Sequence, residues 1–203
     1  KMNKLAVGGF TDVAKATDVV TTAINAYGLS VDETANISDK LITTQNLGKT
    51  SVDELASNMG NVIPTANSVG VNLDNLCAAY AQLTAGGMNT AASTTNLNAM
   101  LLELGSTGSK TDIILREQTG KSFTELMNSG KSLGDVISIL NDYTTQTGQA
   151  FGDIWSSSSA SASAKAMISN IDVFNTDLEA MQNSSGATET AFETMSNTMI
   201  IVF

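Results

Sequence analysis

Apolar residues return every three or four positions along most of this chain, the period of helices that bury one face. In "TDVAKATDVVTTAINAYG" the face is Val13, Ala16, Val20, Ala23, Ile24 and Tyr27, and Gly28 reads as the stop. In "VDETANISDKLITTQNLG" it is Val31, Ala35, Ile37, Leu41 and Ile42, ending near Gly48. "VDELASNMGNVIPTANSVG" carries Leu55, Met59, Val62 and Ile63, and "LDNLCAAYAQLTAGG" carries Leu73, Leu76, Ala79, Tyr80 and Leu83. Gly86–Gly87 then ends one helix so that Met88 to Leu104 can fold back on it.

The polar positions mark where these helices start. Ser30-Val-Asp-Glu33, Ser51-Val-Asp-Glu54 and Ser122-Phe-Thr-Glu125 read as capping boxes. In such a box the Ser hydroxyl accepts from the third backbone N–H and the Glu carboxylate reaches back. Asn72-Leu-Asp-Asn75 is a weaker version, and Ser132-Leu-Gly-Asp135 opens one more segment. Ser30, Ser51 and Asn72 stand about 21 residues apart, a spacing that suits a solenoid. Thr43 to Thr50 and Thr65 to Val71 do not align, so three successive helices of similar length are the better reading. Pro64 predicts a bend that turns Ala66 to Val69 toward the next helix.

Beta structure is minor. "TDIILRE", Thr111 to Glu117, is a candidate strand that is equally a turn of helix. Ser156 to Ser159 is predicted as a loop, with helix resuming toward "IDVFNTDLEAMQNS", breaking at Ser184–Gly186 and resuming at Ala187. Phe192, Met195, Met199 and Val202 are spaced 3-4-3, and Ile200, Ile201 and Phe203 widen that face. It is either a coiled-coil seam or an ordinary amphipathic helix docked on the rest. The pattern predicts an all-α fold, a compact bundle of short capped helices over residues 1–187. Residues 188–203 are expected to begin a longer amphipathic or coiled-coil helix. Both ends read as cut from a longer chain.

Composition narrows the chemistry. Only 15% of the 203 residues are charged, against roughly 25% in an average domain, while 42% are hydrophobic. This is not a disordered, solvated chain. Net charge is −10, and no Lys or Arg falls between Thr50 and Ser109, so this segment offers no phosphate-binding surface and no direct nucleic-acid contact is expected. No run of about 18 apolar residues is present, so no membrane contact is expected either. There is no histidine, which removes Ser-His and Cys-His nucleophile systems and the commonest metal ligand. Cys77, the only cysteine, reads as a small buried hydrophobe.

Two motifs need weighing. Gly48-Lys49-Thr50, Gly120-Lys121-Ser122 and Gly130-Lys131-Ser132 look like half of a phosphate loop. The glycine required five residues earlier is replaced by Thr43, Leu115 and Glu125, so each reads as a helix end, a solvated Lys and the next helix's hydroxyl cap. Asp32–Glu33 and Asp53–Glu54 could suggest acid–base work, but both pairs stand in a first helical turn, where negative charge suits the helix dipole. No catalytic, cofactor-binding or metal-ligating residue is predicted, and no cofactor.

"FTDVAKATDVVTTAINAYGLSVDETANISDKLITT", "TSVDELASNMGNVIPTANSVGVNLDNLCAAYAQLTAGGMNTAASTTNLNAMLLEL" and "GATETAFETM" together resemble the core region of phage tail tape measure proteins. The resemblance rests on order and spacing: Tyr27-Gly28-Leu29-Ser30, Thr50 to Leu55, Pro64, Gly70 to Asn72, then Gly87. It covers about Phe10 to Met195, and Ser156 to Ser163 match poorly. It implies a non-enzymatic structural protein of the virion, lying in the lumen of the tail tube or in the tail tip after assembly in the bacterial cytoplasm. It implies roles in tail assembly, tail length and genome delivery. The implied partners are further copies of itself (a homo-oligomer), tail tube and tail tip proteins, and a tail assembly chaperone. Two other classes stand beside it: a muralytic enzyme domain within a tail protein, and a secreted helical binding module.

Overall fold

A computed structural model describes residues 1–201, with side chains described through Thr198. Within that range the chain is helix and turn, without a strand. The helices are α1 (Met2–Gly8), α2 (Val13–Tyr27), α3 (Thr34–Leu47), α4 (Val52–Asn58), α5 (Ile63–Ser68), α6 (Leu73–Ala85) and α7 (Thr90–Leu104). They continue with α8 (Lys110–Thr119), α9 (Phe123–Asn128), α10 (Leu133–Thr147), α11 (Ser158–Ser169), α12 (Ile171–Gln182) and α13 (Ala187–Ile201). Short 3-10 turns lie at Val31–Glu33, Met59–Asn61 and Phe151–Ile154.

The fold is arranged around α6. Eleven of its thirteen residues are buried, among them Leu76, Cys77, Ala78, Ala79, Tyr80 and Leu83. A helix apolar on all sides must be covered on all sides. Helices α3, α5, α7, α11 and α12 surround it. The alanines at 78, 79 and 81 leave room for close approach, and each fully buried Leu contributes about 1.5–3 kcal/mol. Gly86 and Gly87 then let α7 fold back on α6, as the sequence suggested. Outside this centre, α2 packs on α4 and α5, α10 packs on α8 and α11, and α13 packs on α1 and α3.

Most helix boundaries fall where capping chemistry puts them. Asp12, Ser51, Asn72, Ser109, Ser122 and Ser132 each accept a hydrogen bond from the backbone N–H three residues on. Ser122 with Glu125, and Ser132 with Asp135, form complete capping boxes. Pro64 stands in the first turn of α5, where its missing N–H costs nothing.

Four expectations need correction, and one open choice is decided. Ser30 does not open a capping box: its hydroxyl accepts from Asp32 N–H, and Glu33 accepts from the Asn36 side chain instead. The tighter 3-10 turn delays α3 to Thr34 and leaves Val31 74% exposed, so Val31 is not core. Ser51 makes only half of its box, because Glu54 turns to the Thr50 and Thr90 hydroxyls. That ties the start of α4 to the start of α7. The candidate strand at 111–117 is helix α8, burying Thr111, Ile114 and Leu115 at helical spacing and leaving Ile113 exposed. The Ser-rich loop shrinks to Trp155–Ser157. Ser157 caps α11, and burial of Ala160, Ser163, Ala164 and Met167 outweighs the modest helix propensity of serine.

The fourth correction concerns the C-terminal end. Helix α13 has 15 residues, the length of α2, and lies against α1 and α3. The longer helix expected there is not supported. Phe192 and Met195 of the proposed seam are half-buried. The side chains of Met199, Ile200 and Ile201, and residues Val202 and Phe203, lie outside the described residues.

Candidate functional site

Of the residues that the sequence offered for chemistry, Asp53 and Cys77 are held within the structure. Asp53 is bound by the Lys15 ammonium at 2.8 Å and the Thr11 hydroxyl at 2.9 Å, and these hold its carboxyl below the usual range. The pair ties α2 to α4. Asp32 and Glu33 are exposed or half-exposed in the 3-10 turn, where Glu33 accepts from the Asn36 side chain. Cys77 is fully buried, and burial pushes its thiol up to about 12, out of reach of thiolate chemistry at neutral pH. Of the half phosphate loops, Gly120 and Gly130 do end a helical segment, with Ser122 and Ser132 capping the next. At Gly48 the cap is Ser51 rather than Thr50. Among the described residues no three Cys, Asp or Glu side chains gather as a metal site would require. No described helix is long and apolar enough to cross a membrane.

What the sequence did not reveal is a set of buried or half-buried polar side chains that receive the ends of other helices. Asp39 on α3 is buried and accepts from Gly186 N–H at 2.9 Å and Thr188 N–H at 2.8 Å, capping α13 from across the fold. Glu103 on α7 accepts from Ser156 and Ser157 N–H ahead of α11. Gln82 on α6 donates to Met167 O at 2.9 Å and Asn170 O at 2.8 Å, closing the other end of α11. Asn75 on α6 takes the Leu133 N–H that opens α10, and Gln45 on α3 takes the Val52 N–H that opens α4. Lys40 on α3 donates to Met181 O in the last turn of α12 and pairs with Asp74. Helix ends leave orphan donors and acceptors that cost free energy when buried. Three central helices satisfy five peripheral ones. The available signal was a polar residue on an otherwise buried helical face.

A surface groove of about 620 Å³ runs between the start of α13, the end of α12, the last turn of α3 and the end of α1. Its walls are amides and hydroxyls (Gln45, Asn46, Asn183, Thr190, Thr194), its apolar part includes Ala180, Ala187, Ala191 and Met195, and no ionisable side chain lines it.

Within the described residues this is a wholly helical module in which buried polar side chains bind helix ends from across the fold. The chain belongs to the family described as phage-related minor tail protein, which matches residues 1–199. It is similar to a protein named "Probable tape measure protein" from Clostridium phage phiCD119, with 33% identity over 206 residues. That match covers 98% of this chain and 22% of the relative, so the chain spans about a fifth of the relative's length. No solved structure matches. The chain is therefore a structural component of a phage tail, and so of the virion.

Proposed function

We propose that this chain is the compact core module of a tape measure protein, acting in tail assembly, tail length determination and genome delivery. The observation that carries this reading is the identity to the phiCD119 protein along nearly the whole of this chain. In this reading the module lies in the tail tube lumen or the tip, meeting tube, tip and chaperone proteins and further copies of itself. It does not act as the ruler. The described helices have at most 15 residues, and at about 1.5 Å per residue none of them spans more than roughly 22 Å. Length is measured by other segments of the full protein, and this module anchors or nucleates.

In-frame deletions in the phage test the division of labour. Removing Asn72 to Gly86 takes out α6 and should stop tail assembly. Removing an equal length from the remainder of the protein, in long helical segments, should give viable phage with shorter tails. Electron microscopy of both reads the outcome. Uniformly shortened tails from the first deletion would assign measuring to this module and overturn the proposal.

A further inference from the structure

Helix α13 is held to the fold by little. Over residues 187–198 the one buried side chain is Thr188, and its hydroxyl has no hydrogen-bond partner among the described residues. Phe192 and Met195 are half-buried, whereas α12 just before it buries Phe174 and Met181 completely. The start of α13 borders two hollows that share Ser185 and Gly186. One is the groove of about 620 Å³, and the other is a cleft of about 300 Å³ lined by Lys4, Ser38, Asp39 and Thr188 among others. The remaining ties are polar: the Asp39 cap, and an ion pair from Lys4 to Glu189 whose two side chains are each about half exposed. Such an exposed pair contributes little.

The contact with α1 is close and under strain. A Cβ on Gly8 would fall 3.0 Å from Ala191 Cβ, and one on Gly9 would fall 2.6 Å from Val52 Cβ, so the end of α1 is wedged between α13 and α4. The chain leaves that wedge through Phe10 at φ 53°, the one non-glycine among the described residues with positive φ. Strain of this kind persists only where the surroundings enforce it, and α13 is one of the two walls. Where α13 departs from the fold, Ser185 and Gly186 are exposed, and Gly186 has φ 87° with open space around it.

We propose that α13 is a releasable strap, which swings off α1 and α3 about Ser185 and Gly186 as one unit while the core around α6 stays folded. Segments that move are drawn from the least stable part of a fold, where few apolar contacts are buried. Release breaks the Asp39 cap and one exposed ion pair, and over residues 187–198 it uncovers no fully buried apolar side chain of α13. It also frees the wedged end of α1 and joins the groove and the cleft into one open surface on α1 and α3. A helix of 15 residues is marginal alone in water, so the released strap loses its backbone hydrogen bonds and the opening can be read from them.

The test is amide hydrogen exchange of the 203-residue chain across a series of low urea concentrations. Residues 190–198 should exchange through one shared opening, at least about a hundredfold more frequent than that of α6 and with a shallower urea dependence. Thr188→Val keeps the shape of the side chain and removes the unpartnered hydroxyl, so it should slow exchange in α13 several-fold. Lys4→Ala removes the ion pair and should speed it by up to about fivefold. Neither change should alter exchange in α6. Exchange of α13 at the rate of α6 overturns the proposal, and so does protection that decays steadily from residue 198 back to 190, the mark of a fraying end. A Thr188→Val chain whose α13 exchanges as fast as the parent's overturns it as well. None of these outcomes bears on the tail reading, which the phage deletions decide.

Discussion

Around α6, helix ends meet groups placed to receive them. Asn75 and Gln82 hold the start of α10 and the end of α11, while Gly28 and Gly148 end α2 and α10 at φ 62° and 68°, angles glycine adopts freely. At the close of α1 the same turn is made by Phe10, with its ring in water. Buried tyrosine and exposed phenylalanine thus mark opposite economies. The α6 region is built for stability in the isolated chain, whereas the α1–α13 face gives some up. Where local rules are kept through most of a fold and broken at one exposed point, the break costs the isolated chain stability.

The comparison breaks first if the centre proves soft. Tyr80 is fully buried, and its hydroxyl meets Thr94 Oγ1 at 2.5 Å. Tyr80→Ala should cost about 3–5 kcal/mol in urea unfolding, the range for a large aromatic lost from a close-packed core. Tyr80→Phe keeps the packing and should cost about 1 kcal/mol for the hydrogen bond. An alanine variant that unfolds with the parent would mean that α6 is not the organising helix.

Next in size are the caps that cross the fold. Asp39→Ala leaves the Gly186 and Thr188 N–H groups without partners, at a cost of about 1–3 kcal/mol. Amide exchange should then accelerate over α13 and stay slow over α6, because α13 depends on α3 for its cap whereas α6 has Asn72 of its own. Equal acceleration in both helices would show that the two regions unfold as one unit.

The asymmetry also explains what could be read from residues alone. Period and caps are local, and they located most helices: Ser122 and Ser132 needed nothing beyond their own next turn. Cross-fold caps are not local. Asp39 and Glu103 look like solvated charges on amphipathic helices, and their meaning depends on which helix end arrives beside them. The undecided stretch at 111–117 and the overlong serine loop have the same origin. Thr111–Leu115 and Ser158–Ser163 are weak helix formers in isolation, and packing of α8 against α10 and α11 against α7 decides them. Phe10 could not be recognised, because its peculiarity lies in a φ angle.

Phe10→Gly sharpens the comparison in the opposite direction. Glycine accepts the left-handed turn without strain, so the monomer should gain about 1 kcal/mol. Chemical denaturation at a concentration below any association measures it. A loss of stability would mean that the ring packs within its own chain, and the contrast between the two regions would fall.

The smallest effect tests whether the interior is uniformly provided for. Asp177 on α12 is buried, and unlike Asp39 it has no hydrogen-bond or ion-pair partner among the described residues. Burial pushes its carboxyl up to about 6. The unfolded chain ionises this group near the ordinary value of about 3.9. Between roughly pH 4 and 6 the folded state therefore binds the extra proton, and this group's contribution to stability falls as pH rises through that window. Above it the penalty is complete. Asp177→Asn should raise the urea midpoint at pH 7.5 and leave it nearly unchanged at pH 3, where both states of the parent are largely protonated. An equal gain at both values would trace the benefit to packing of the amide, and a loss at pH 7.5 would show that the carboxylate has a partner after all.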